Sequence, residues 1–238
     1  RFVERRLQME KRLLSTYRET GVPNVGKALR SSEEEFYAST THGLGFFLSA
    51  CGSVALLTSI PVGASLMLKM MCSFYCVALM GVFAASSLSH VMLSEKWNSL
   101  FRSLDQGFIY LLIIGTMAPL VVKNNPNWQW SALLLMLIAV GVFGFLTKVL
   151  MGHQLAQVSL WLYLVLGWGQ VIAFGPLLWQ LPNNVLAWIL IGGLTYSLGY
   201  VFLTLDIRRY HFHTIWHIFV ILGSACHYLA IWRWVTLA

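Results

Sequence analysis

The chain has 238 residues, of which 58% are hydrophobic and only 11% are charged, and its mean hydropathy is +0.69. Soluble globular proteins carry roughly 45–50% apolar and about 25% charged residues. These figures exclude a soluble domain, a disordered chain and a small disulfide scaffold. Long unbroken apolar runs also exclude a membrane barrel, whose segments alternate. The composition therefore predicts an all-α polytopic membrane protein.

Residues 1–32 differ in composition from the rest of the chain. Eight of the 16 Lys and Arg residues lie in the first thirty positions, interleaved with glutamates. We predict a basic amphipathic segment over 1–32, cytosolic or interfacial, followed by a transmembrane domain over 33–238. The mixed sign argues against a nucleic-acid partner despite the net charge of +7. The Ser and Glu residues of 31–35 resemble a capping box and predict a helix start there.

Seven apolar runs are long enough to cross a hydrocarbon core of about 30 Å, which takes roughly 20 helical residues. Turn signals rich in Pro, Gly and Asn separate several of them, as at 61–63, 124–127 and 181–184. We therefore predict seven transmembrane helices. The predicted spans are 39–60, 70–92, 105–122, 130–148, 156–177, 185–205 and 213–235.

The basic residues indicate the orientation of the bundle. With the N-terminus inside, thirteen Lys and Arg residues lie on the inner side and three on the outer side. Positively charged loops stay in the cytoplasm, so we predict the N-terminus inside and the C-terminus outside. This topology opposes that of a G-protein-coupled receptor, and the seventh span has no lysine for a retinal Schiff base. We expect a bacterial inner membrane, which the absence of Asn-x-Ser/Thr acceptors fits.

Polar residues of the predicted spans collect at one side of the membrane. Titratable residues inside a membrane are costly and are functional candidates by default. The topology brings them to the cytoplasmic ends of spans one, two, three and seven. They are His42, His90, Asp105, His213 and His217.

The spacing of two histidines indicates a metal site. His213 and His217 are four residues apart, so both imidazoles project from one helical face and can bind one Zn²⁺. His90 lies at the depth required of a third ligand. No His-Glu-x-x-His motif is present, so the carboxylate that activates water would be Asp105. Ser86, one turn before His90, is the expected hydrogen-bonding partner of that water or of the substrate.

The other histidines have less specific interpretations. Any single histidine at a span end is also compatible with a hydrated side chain at the headgroup interface. We expect His42 to support or pack against the site. His227 lies ten residues beyond His217, about 15 Å deeper, and is expected to form a hydrogen bond between helices. His153 and His211 are expected in loops on the inner side.

Four sequence blocks follow one another along the chain: Glu35 with Thr41-His42-Gly43, Ser86 to His90, Leu104 to Pro119, and His213 to Tyr228. Together they resemble the progestin and adipoQ receptor family, and most closely its hemolysin III-type members. The resemblance covers about residues 33–236. One position departs from the family pattern, because Ala38 stands where the family usually has Asn.

The resemblance implies a zinc site and a link to membrane lipids. It implies that His90, His213 and His217 bind zinc, with an associated water near Ser86 and Asp105. In the adiponectin-receptor branch the family resembles ceramidase-type hydrolases, whereas hemolysin III-like members are linked to membrane-lipid homeostasis.

Three functions remain open at this point. The first is a zinc-dependent hydrolase of lipid amides or esters. The second is a sensor or receptor without enzymatic activity, in which zinc is structural. The third is a cytolytic pore, which the lack of a polar stripe along the spans disfavours. The expected partners are membrane lipids, including a lipid amide or fatty acid inside the bundle, and a homo-oligomer is left open.

Overall fold

The computed structural model describes residues 24–124, 127–151, 156–205 and 211–237, and within them the side chains of all but 24–32 and 156–160. The described residues form eight helices and contain no strand, so the predicted all-α class is confirmed. The helices are α1 (Asn24–Ser59), α2 (Leu66–Val91), α3 (Glu95–Lys123), α4 (Trp128–Met151), α5 (Ala156–Ala173), α6 (Gly175–Leu178), α7 (Asn183–Leu205) and α8 (Phe212–Thr236).

Six described helices are long and apolar enough to cross a membrane: α1 from Glu33 onward, α2, α3, α4, α7 and α8. The predicted fifth span, 156–177, corresponds to α5, whose fully described part, Trp161–Ala173, is apolar but shorter. Helix α5 ends at Ala173, and the chain then forms the four-residue α6 with Pro176 in its first turn. Proline is tolerated in a first turn because its missing N–H would have no helical partner there. A multi-pass helical membrane protein is thus established.

The first helix begins earlier than the capping box predicts. Helix α1 starts at Asn24 and passes through 31–35 without interruption, so the predicted start is wrong. The preceding residues include Lys, Ala, Leu and Arg, all strong helix formers, which favour continuation over a cap. Most of the predicted segment 1–32 lies outside the described residues.

Most of the packing joins helices that are consecutive in the sequence, and α1 also packs against α8. Helices α2 and α3 contribute the best-buried side chains, among them Tyr75, Ile114 and Leu120, all at most 1% exposed. The long α1 therefore lies against both α2 and α8. This arrangement places the N-terminal half of α1 between the two helices that carry the predicted metal ligands.

Lys123, the last residue of α3, joins the C-terminal ends of α3 and α8. Its Nζ donates to the backbone carbonyls of Trp234, at 2.6 Å, and Leu237 at the C-terminal end of α8. The ammonium also lies 5.0 Å from the centre of the Trp234 ring. A cation is favourable at this end because the last helical carbonyls have no partner within the helix.

We expect Lys123→Met to destabilise the bundle, because charge-assisted hydrogen bonds contribute about 1.5–3 kcal/mol. Thermal unfolding in detergent should show a fall of several degrees in Tm. The matched control is Lys69→Met, since Lys69 is exposed and its ammonium donates to the carbonyl of Val62, a neighbour only seven residues away in the chain. Equal Tm values for the two variants would contradict the role of Lys123.

Candidate metal centre

Three histidines from two helices meet at one end of the bundle. His90 lies in the last turn of α2, and His213 and His217 lie in the first two turns of α8. One nitrogen from each lies within 4.8 Å of the others. His217 is 2% exposed, and the side chain of His90 is 11% exposed. The three rings therefore form one cluster with little access to solvent.

Helix α1 orients two of these rings. The Nδ1–H of His90 donates to the Glu35 carboxylate at 2.7 Å, and that of His217 donates to the Ala38 carbonyl at 3.2 Å. An oxygen of either kind only accepts, so the proton lies on Nδ1 and the Nε2 lone pair remains for another partner. An oxygen acceptor behind the ring is the usual arrangement for a metal-binding histidine.

Helix α1 also fixes the start of α8. The Glu34 carboxylate accepts a hydrogen bond of 2.5 Å from the backbone N–H of His211, the residue just before α8. His211 has a φ of 69°, in the left-handed region. The helix that carries two of the histidines is therefore held in place at the residue that precedes its first turn.

The histidine cluster suits a zinc ion. Zinc binds imidazole nitrogens at about 2.0–2.1 Å, so tetrahedral ligands lie about 3.4 Å apart. The observed limit of 4.8 Å means that side-chain shifts of about 1 Å would close the site. Three imidazole nitrogens, two of them from rings with an orienting oxygen, are the ligand set of catalytic zinc sites that keep one position open.

Polar groups without protein partners surround the cluster. The hydroxyl of Ser86, which is 1% exposed, and both ring nitrogens of His42, which is 2% exposed, have no hydrogen-bond partner among the described residues. The His42 ring stacks on that of His217, with centroids 3.7 Å apart. Asp105 lies beside Ser86 and His213. Buried polar groups are nearly always paired, so each unpaired one needs an explanation.

The structure brings together every residue that the sequence assigned to the site: His90, His213, His217, Asp105 and Ser86. Their roles as ligands and catalytic groups stay predictions.

The remaining histidines have distinct environments. His42 packs directly against a candidate ligand. The predicted interhelical hydrogen bond of His227 is confirmed, since its Nε2 lies 3.1 Å from the Ile189 carbonyl on α7. His211 immediately precedes α8, whereas His153 lies outside the described residues.

The sequence indicates no role for Glu35 beyond its place in the family motif. Glu35 stands in a run of three glutamates, Glu33 to Glu35, that reads as a solvated charge cluster. The hydrogen-bond partners of Glu34 and Glu35 lie far away along the chain. Only the helical phase of Glu35, seven residues before His42 and so on the same face, could have indicated that it points at the site.

A cavity of about 250 Å³ opens from the cluster into the bundle. Asp105, Ser86, His42, His213 and His217 line one end of it. The walls continue along apolar side chains of α2, α3, α7 and α8. They include Val82, Leu112, Ile189 and Val220. The polar cluster is therefore the head of an elongated, mainly apolar space.

A bundle of long apolar helices around a buried histidine cluster defines a polytopic membrane protein with a candidate intramembrane metal centre. The chain belongs to the haemolysin-III related family, whose family model matches residues 30–228. The membership in the hemolysin III/PAQR family that the four blocks predicted is therefore confirmed.

Curated relatives agree with this assignment. Hemolysin-3 of Bacillus cereus is 28% identical over 200 residues, covering 84% of this chain and 90% of that protein. The Hemolysin-3 homolog of Bacillus subtilis (strain 168) is 28% identical over 199 residues, covering 84% and 93%. The human monocyte to macrophage differentiation factor is 28% identical over 170 residues, covering 68% of each chain. The comparison with solved structures found no match.

We expect Glu35→Ala to weaken zinc binding by about 10- to 100-fold, because it removes the carboxylate that orients His90. Glu35→Gln keeps an acceptor without the charge, so its zinc affinity should lie between that of Glu35→Ala and that of the wild-type protein. Zinc affinity is measured on the detergent-purified protein by competition with a chelator of known affinity. Glu33→Ala, an exposed neighbour on α1, is the control. An unchanged affinity in Glu35→Ala would contradict the orienting role.

Proposed function

We propose that the protein is an intramembrane zinc-dependent hydrolase of a lipid amide or ester, with a ceramidase-like reaction, and that it acts in membrane-lipid homeostasis. The observation that carries the proposal is the position of the histidine cluster. It lies at the head of a long apolar cavity, together with one carboxylate and one unpaired hydroxyl. A lipid with its carbonyl at the histidines and its acyl chain in the cavity matches both ends of this space.

The chain itself would hold the zinc and handle the proton. His90, His213 and His217 would bind the ion, which when present polarises a carbonyl and makes water more acidic. Asp105 would accept a proton from the attacking water as the water oxygen adds to the carbonyl carbon. The carbon–nitrogen or carbon–oxygen bond then breaks, and Asp105 returns the proton to the leaving amine or alkoxide. The Ser86 hydroxyl would donate to the substrate carbonyl or hold the water in line.

A second candidate function is a sensor or receptor in which zinc only joins α2 to α8. The observation in its favour is that the histidine cluster connects two helices far apart in sequence, both held by α1. Metal binding would then contribute to folding stability alone. The cavity would hold a regulatory lipid rather than a substrate, and hydrolysis would be absent.

We further propose that the N-terminus is cytoplasmic, the C-terminus lies outside, and the membrane is the bacterial inner membrane. The excess of basic residues on one side supports this orientation. Reporter fusions at the two termini test it: a periplasm-dependent phosphatase should be active only at the C-terminus. Activity of that reporter at the N-terminus would overturn the topology.

Metal analysis by mass spectrometry tests the zinc site. We expect about one zinc per chain in protein purified in detergent without chelators, and a loss of zinc in His217→Ala, since three ligands hold the ion. His227→Ala, which removes a histidine of the same helix outside the cluster, should retain the metal. No zinc in the unchanged protein, or equal zinc in His217→Ala, would contradict the site.

Asp105→Asn separates the hydrolase from the sensor. If Asp105 moves the proton, hydrolysis of lipid amides and esters should fall by about 10²- to 10⁴-fold, because general acid–base catalysis contributes that much. Zinc content and Tm should change little. Release of fatty acid from a panel of ceramide and acyl-ester substrates is the readout. Hydrolysis by Asp105→Asn at the unchanged rate would overturn its role, and no hydrolysis by the unchanged, zinc-loaded protein would favour the sensor.

A further inference from the structure

The far end of the cavity carries polar side chains deep inside the bundle. Gln170 on α5 and His227 on α8 both line it. Gln170 bonds to Ile113, eight residues beyond Asp105, and His227 lies ten residues beyond His217. At 1.5 Å per helical residue, this end lies about 12–15 Å from the histidine cluster.

Several polar groups at this end form hydrogen bonds across the bundle. One N–H of the Gln170 amide donates to the Ile113 carbonyl at 3.2 Å, and the Nε1 of Trp168 donates to Ser197 at 3.0 Å. The Tyr196 hydroxyl and Ser224 bond to each other at 2.6 Å. These bonds hold the orientation of the Gln170 amide and of the groups around it.

One buried acceptor at the same end is unpaired. Gln170 is 3% exposed, and its Oε1 has no hydrogen-bond partner among the described residues. Reversing the amide would not help, because Oε1 would then face the Ile113 carbonyl, which also only accepts. His227 must carry its proton on Nε2 to donate to Ile189, so its Nδ1 is also an acceptor.

A buried acceptor without a partner favours a ligand that brings a hydrogen-bond donor. A plain hydrocarbon chain would bury the Gln170 oxygen without a hydrogen bond, which is unfavourable in an apolar space. A hydroxyl at this depth would donate to Gln170 or His227. An extended chain advances about 1.25 Å per carbon, so 12–15 Å corresponds to about ten to twelve carbons.

We propose that the cavity selects aliphatic chains that carry a hydroxyl about ten to twelve carbons from the group held at the histidine cluster. The Gln170 oxygen would accept the hydrogen bond of the hydroxyl, at the end of the cavity that His227 also lines. The substrate class becomes amides or esters of mid-chain hydroxy fatty acids. This inference rests on the proposed function in one respect, namely that the polar headgroup lies at the histidines.

The test measures binding rather than hydrolysis. Zinc-loaded, detergent-purified protein is equilibrated with radiolabelled octadecanoic acid, which is displaced by three competitors. These are unlabelled octadecanoic acid, its analogue with a hydroxyl near the twelfth carbon, and its analogue with a hydroxyl on the second carbon. We expect the mid-chain analogue to bind about five- to tenfold more tightly than the plain acid, the gain of roughly one buried hydrogen bond. The second-carbon analogue should show no such gain.

Removing the acceptor should remove the preference. In Gln170→Leu, and in the unbranched Gln170→Met, the mid-chain and plain acids should bind equally, while the affinity for the plain acid stays the same or rises. Gln180→Leu changes a glutamine of the same region that bonds to Pro176 and lies outside the cavity lining, and it should retain the preference. Two substitutions at 170 guard against one of them failing to fold, which Tm reports.

Equal binding of the mid-chain and plain acids by the unchanged protein would overturn the proposal, as would a preference that survives both Gln170 variants. These outcomes are separable from failure of the proposed hydrolase. A mid-chain preference that depends on Gln170 without any hydrolysis would support the hydroxyl subsite while contradicting the enzyme. Hydrolysis without a mid-chain preference would support the enzyme and contradict the hydroxyl subsite.

Discussion

The hydrogen bonds from α1 to the histidine rings are the interaction on which the site depends. Glu35 and the Ala38 carbonyl each accept from an Nδ1–H, one on α2 and the other on α8. Without them, two buried imidazoles would have neither a defined tautomer nor a defined rotation. Because both acceptors lie on one helix, a single rigid element sets the spacing between rings from different parts of the chain.

This arrangement explains why Ala38 is compatible with the site although the family usually has Asn there. The group that accepts from His217 is the backbone carbonyl of residue 38, which every residue supplies. The small side chain is 1% exposed, and it leaves α1 close to the histidines. A departure from the family motif therefore leaves this hydrogen bond unchanged.

The cavity combines two kinds of polarity within an apolar wall. At its head are histidine nitrogens, Asp105 and an unpaired serine hydroxyl, which suit an ion, water and a carbonyl. At its far end one N–H of the Gln170 amide bonds to the Ile113 carbonyl, and the amide oxygen has no partner among the described residues. Since an apolar interior supplies no competing hydrogen bonds, each unpaired group has a large influence on what binds. The two ends thus define a ligand by its headgroup and by the position of one polar group along its chain.

The amino-acid sequence by itself determined the class of fold and the members of the histidine cluster. Apolar runs of span length are a local property, and they predicted the six span-length helices of the described residues. The spacing of His213 and His217 is likewise local, and the alternation of spans carried His90 and Asp105 to the same side. The local signal was misleading at 31–35, where a capping pattern lies within a continuous helix.

Only the tertiary structure decided which groups face the cluster and what the cavity offers. Glu33, Glu34 and Glu35 are the same residue type in a row, so the sequence does not distinguish their roles. The hydrogen-bond partners of Glu35 and Glu34 lie 55 or more residues away along the chain. In the sequence Gln170 is a polar residue in a mainly apolar helix. The structure shows that its amide nitrogen bonds to the Ile113 carbonyl and that its oxygen is unpaired among the described residues. The physical reason is the same in each case: a hydrogen bond depends on distance and direction across helices, and the packing of the whole bundle sets both.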